Sequence, residues 1–70
     1  MANNKEKWSG TYYVARADST EITTYKVKGK YTSDTPMIDI VDSLQEKVTR
    51  RLYAKRIFDF DIVDSVEEMV

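Results

Sequence analysis

Histidine and cysteine are both absent from this chain. Their absence removes the commonest general base, the commonest metal ligand and the thiol nucleophile. It also excludes disulfides and any metal site built on thiolate or imidazole. Glycine and proline are scarce, and neither a phosphate loop nor a dinucleotide fingerprint occurs. No apolar run approaches the ~20 residues that span a bilayer. The opening residues, Met1-Ala2-Asn3-Asn4-Lys5, carry no apolar signal region. A net charge of −1 supplies no overall field toward nucleic acid or membrane. The expectation is a cytoplasmic chain that is not an enzyme, takes no cofactor or metal, and works through its contact surface.

What is present is globular. Five tyrosines, two phenylalanines and one tryptophan are too many for a solvated coil. Seventy residues make a single small domain spanning 1–70, with polar residues 1–7 expected to fray. A core of this size gives only a few kcal/mol of net stability, and no disulfide can add to it. Good packing and association are the remaining sources, and a homodimer or a larger intracellular protein is expected as partner.

Gly10 to Ala17 alternates as a strand, with Tyr12, Val14 and Arg16 on one face and Tyr13, Ala15 and Ala17 on the other. Asp18-Ser19-Thr20-Glu21 reads as a hairpin loop. Ile22 to Tyr31 alternates more regularly. Thr23, Tyr25, Val27, Gly29 and Tyr31 oppose Thr24, Lys26, Lys28 and Lys30, the pattern of a sheet with one wet face.

Thr35 is placed to cap a helix and Pro36 to open it. The helix is predicted over 36–55, with Met37, Ile40, Val41, Leu44, Val48 and Leu52 as its apolar stripe. Acidic residues lie early and basic residues late, which suits the helix dipole, and Glu46 and Arg50 form an i,i+4 pair. Ile57 to Val63 alternates as a third strand. Asp64 or Ser65 is placed to cap a short C-terminal helix. The pentapeptide Asp39–Ser43 recurs as Asp61–Ser65. It reads as a duplicated helical unit or as coincidence, and coincidence is favoured because two copies cannot bury a repeat core. The expected fold is a two-layer α+β domain of order β-β-α-β. One amphipathic helix covers one face of a small antiparallel or mixed sheet, and strand three lies parallel to strand two, beside strand one.

Four constellations could carry function. Lys26, Lys28 and Lys30 form a basic comb at a spacing close to that of phosphates, and Tyr12 and Arg16 are candidates to join it. Lysines that only solvate a sheet face and guard its edge are the favoured reading. Lys47, Arg50, Arg51, Lys55 and Arg56 make a basic helix end, suited to phosphates or to ordinary dipole complementation. Arg51 falls inside the apolar stripe, so a structural ion pair with Asp59 or Asp61 is expected. Asp59, Asp61, Asp64, Glu67 and Glu68 are acidic, but two carboxylates on a strand face are usually solvated. Finally Trp8, Tyr53, Val66, Met69 and Val70 lie outside the core pattern.

Surplus aromatic and Met side chains are what protein interfaces recruit. Trp8, Tyr12, Tyr53 and Met69 are therefore the partner-binding candidates. The functional expectation is a small regulator, adaptor or inhibitor that occludes a surface of a larger protein, of the kind phages and other mobile elements carry. The alternative is a nucleic-acid module using Arg16, Lys26, Lys28, Lys30, Lys47 and Arg50.

Overall fold

A computed structural model describes residues 5–70. Of the segment expected to fray, residues 1–4 lie outside the described residues, and residues 5–7 are strand. The element order is β1 (Lys5–Arg16), β2 (Ile22–Thr32), α1 (Met37–Ala54) and β3 (Phe60–Met69). The sheet order is β2-β1-β3, with both pairings antiparallel. β2 and β3 therefore run parallel to each other on either side of β1, as expected.

Direct cross-strand partners share a face, so the register assigns every side chain. Tyr12 pairs with Tyr25, Gly10 with Val27 and Val14 with Thr23 on the face under the helix. On that face Tyr12, Val14, Tyr25 and Val27 meet Ile40, Leu44, Val48 and Leu52 of α1, and these eight side chains are the core. Trp8, Tyr31, Ile57, Phe60 and Ile62 pack against its margin. Met37 stays outside, 47% exposed, because the helix begins beyond the end of the sheet it covers. A ring lies over each of the two glycines. A Cβ on Gly10 would strike the Tyr12 ring, and one on Gly29 the Tyr31 ring.

Helix α1 starts one residue later than predicted. Pro36 occupies the N-cap position, and its carbonyl accepts from the N–H groups of Asp39 and Ile40. Thr35 does not cap; its hydroxyl lies 2.9 Å from that of Thr32, which donates to Asp34 at 2.6 Å. The helix ends in a left-handed turn. Ile57 N–H donates to the Leu52 carbonyl and Arg56 N–H to that of Tyr53, with Arg56 at φ 61°. That pair of bonds satisfies the last carbonyls and folds Ile57 back onto the core.

The C-terminal segment corrects the sequence reading most. No short helix follows Asp64; β3 continues to Met69 and pairs along nearly all of β1. The cause is the length of β1, which begins at Lys5 and offers partners as far as Trp8 for Met69. Pairing outweighs the weak helix signal of Glu67 and Glu68. The recurring pentapeptide is thus helix at Asp39–Ser43 and strand at Asp61–Ser65, which removes the duplicated-helix reading. A register shift opposite Tyr13 and Val14 leaves Val63 as the extra residue of a β-bulge.

Candidate functional site

The helix lies over β2 and β1 and leaves β3 to the side. The consequence is visible in burial. Eight apolar side chains are buried, while nine large ones stay exposed: Ile22, Met37, Ile38, Tyr53, Phe58, Val63, Val66, Met69 and Val70. Five of the nine fall in residues 58–70, and Tyr53 adjoins them, its ring 5.3 Å from Phe58 and 6.4 Å from Phe60. Exposed apolar residues therefore form a band from the helix end along β3 that occupies both faces of the strand, Met69 on the helix side and Val66 on the open side.

Two of the four sequence candidates belong to this band: Tyr53, 52% exposed, and Met69, 56% exposed. Trp8, half-buried, lies directly opposite Met69 and adjoins the band, whereas Tyr12 does not. Tyr12 is fully buried at the centre of the core and cannot touch a partner. Even-numbered β1 positions face the helix, so the residue is a core aromatic. Trp8 packs on the core margin, and its Nε1 is buried without a hydrogen-bond partner. Phe58 and Val63, which the sequence reading did not single out, are exposed members of the band. The alternation of Ile57 to Val63 reads Phe58 as part of the third strand, but β3 begins at Phe60 and the left-handed turn at Arg56 leaves Phe58 in the approach to it.

Around Gly10 the helix-side face holds a polar cluster. Tyr12 OH and Glu67 Oε2 are buried, and neither has a hydrogen bond of good geometry. Burial first, and the neighbouring Glu67 carboxylate second, push the Tyr12 phenol above its ordinary range.

The opposite face of the sheet carries the lysine comb, with different neighbours from those expected. Tyr12 and Arg16 lie on the helix side. Arg16 is held there by Asp18 through two bonds of 2.9 and 2.7 Å, and the same bonds keep the Asp18 carboxyl below its usual pKa. Register instead places Lys5, Lys7, Ser9, Thr11 and Tyr13 beside Lys26, Lys28 and Lys30, with Lys7 directly opposite Lys30. Lys7, Trp8, Lys28, Gly29, Lys30 and Val70 line an open cleft of about 430 Å³. On the far side of this face β3 presents Asp61, Asp64 and Glu68, so the open face is basic at one edge and acidic at the other.

At the basic end of the helix two cations reach the neighbouring strand. Arg51 is exposed and makes no ion pair with Asp59 or Asp61; its Nη1 donates to the Lys26 carbonyl at 3.0 Å. Position 51 lies at the border of the stripe nearest β2, so the side chain reaches the edge strand instead of crossing the core. Lys47 donates in the same way to the Lys28 carbonyl. Both carbonyls point outward from the β2 edge, and the helix therefore clamps that edge with two cations. Arg50 pairs with Glu46 at 2.7 Å, as the sequence implied. Asp59 precedes β3 and accepts from Ala17 N–H through its carbonyl. Among the described residues no three acidic side chains converge as a metal site would require, and no helix is long and apolar enough to cross a membrane. Comparison with known proteins found no matching family model, no matching curated protein and no matching solved structure.

Proposed function

We propose that this chain is a protein-binding module, a small regulator, adaptor or inhibitor that acts by covering a surface of a larger protein. The observation that carries the reading is the apolar band of Tyr53, Phe58, Val63, Val66, Met69 and Val70, set against a core of only eight residues. Large apolar side chains concentrated at the helix end and along one edge strand, on both of its faces, are more than scattered surface hydrophobics, and such concentration marks interaction surfaces. The absence of histidine and cysteine makes efficient bond chemistry at neutral pH the weaker reading.

The test is capture of partners on the immobilised chain after nuclease treatment, read by mass spectrometry. A protein retained by the native chain and lost with Phe58→Ser plus Val66→Thr supports the reading. Both positions are exposed, so the variant keeps its fold. Retention unchanged by the variant, or turnover of any substrate that one acidic or tyrosine substitution abolishes, overturns it.

A second reading, nucleic-acid binding, is favoured by one observation: five lysines share the open face, and three of them border the cleft. It would show as a gel shift that weakens steeply with salt and is lost on replacing Lys26, Lys28 and Lys30 with alanine.

A further inference from the structure

We propose, resting on the protein-binding reading above, that the outer edge of β3 accepts an extended segment of the partner as a fourth strand. The segment that fits alternates basic and apolar residues. The two edges of the sheet differ. On β2 the outward carbonyls of Lys26 and Lys28 are occupied by Arg51 and Lys47. On β3 the backbone groups of Phe60, Ile62, Ser65, Glu67 and Met69 point outward, since their neighbours in the strand face β1. Only one of these outward groups has a partner among the described residues: Ser65 N–H, which donates to Asp64 Oδ1 at 2.8 Å. The stretch beyond it, through Glu67 to Met69, is open to a main-chain ladder.

Side-chain chemistry fixes the occupant. On the helix side β3 offers Phe60 and Ile62, half-buried at the core margin, then Ser65, Glu67 and the exposed Met69, so an added strand needs apolar residues opposite Phe60, Ile62 and Met69. On the open side it offers Asp61, Asp64, Val66 and Glu68, three of the four acidic, and residues 57–70 contain no lysine or arginine. The added strand therefore needs cations on that face, since opposite charges across strands attract and like charges repel. A second copy fits poorly. Antiparallel β3–β3 pairing would set acidic residues against acidic residues, and the basic β2 edge is clamped.

The experiment titrates the chain with an eight-residue peptide alternating lysine and valine, at neutral pH and low salt. Controls are the glutamate–valine peptide and two lysine–valine peptides, N-methylated at the valines or at the lysines. In an antiparallel addition the inward-pointing amides belong to the residues on the helix side, here the valines. The native chain should bind the plain peptide and the lysine-methylated peptide alike. It should bind the glutamate and valine-methylated peptides at least ~10-fold more weakly. Asp61→Lys plus Glu68→Lys, both at exposed positions, should reverse the preference between lysine and glutamate peptides.

Equal binding of the two methylated peptides overturns strand addition, and equal binding of lysine and glutamate peptides overturns the charge assignment. A dimer of the native chain that the Asp61→Lys, Glu68→Lys variant alters would make the second copy the occupant and overturn the proposal. If no peptide binds while a partner is still captured through Phe58 and Val66, the β3 edge is wrong and the protein-binding reading stands.

Discussion

Removing the clamp on β2 should make the sheet polymerise. The perturbation is Lys47→Ala with Arg51→Ala. Each side chain makes one bond from a cation to a backbone carbonyl at an exposed edge. Bonds of this kind are worth more than neutral ones when buried, but at a solvated edge they are nearer 0.5–1 kcal/mol each. The double variant should lose about 1–2 kcal/mol from a total of roughly 4–10 kcal/mol for a chain of this length. Its melting temperature should fall by roughly 5–15 °C. The larger effect lies in association. The unclamped edge would present the outward backbone of Lys26, Lys28 and Lys30 to the acidic β3 edge of another molecule. That contact is head-to-tail and does not close, so it propagates. Light scattering against concentration at low salt, well below the melting temperature, is the assay. Growth of large species in the double variant alone, suppressed by salt, is expected. A folded double variant that stays the same size as the native chain at every concentration would refute the reasoning.

Three further outcomes are expected. The Tyr12 phenol is held above its ordinary pKa of 10.0 by burial and by Glu67, so the unfolded chain releases that proton first. The associated stability is complete below about pH 10 and is lost as pH rises further, by up to ~1.4 kcal/mol per pH unit; urea unfolding at pH 8 and 11 should show a steeper loss for the native chain than for Tyr12→Phe, and equal losses would contradict it. Arg56→Gly should stabilise by about 0.5–1 kcal/mol, because glycine adopts the left-handed turn without the Cβ clash; a lower melting temperature would count against it. Leu44 is fully buried, so Leu44→Ala should cost about 2–5 kcal/mol and leave the chain near its unfolding limit, a loss visible in thermal melts.

The elements that the sequence disclosed are those with one strong period. The stripe Ile40, Leu44, Val48 and Leu52 repeats every four residues and is the buried face of α1. The alternation from Thr23 to Tyr31 separates the core face from the lysine face without error. The hairpin at Asp18–Glu21 followed from turn chemistry: Ser19 N–H returns to the Arg16 carbonyl, and the Ser19 hydroxyl accepts from Glu21 N–H.

What stayed hidden depended on neighbours distant in sequence. Asp61–Ser65 is strand only because β1 lies beside it, whereas the same five residues at 39–43 wind into helix between other neighbours. Arg51 could be placed at the stripe, but not on the Lys26 carbonyl, because strand position relative to the helix is a tertiary fact. Of the proposed partner-binding residues Tyr53 and Met69 are exposed, while Tyr12 reads as a wet-face residue only if Val14, two residues on, is ignored, since the two share the buried side. The unequal edges of the sheet left no local signal at all.

Amide hydrogen exchange of the native chain, measured by NMR with and without the lysine–valine peptide, tests most directly whether contact along β3 is how this protein works. Slowed exchange at Glu67 and Met69, with Lys26 and Lys28 unchanged, is the expected result. Unchanged exchange at Glu67 and Met69 under saturating peptide would contradict it.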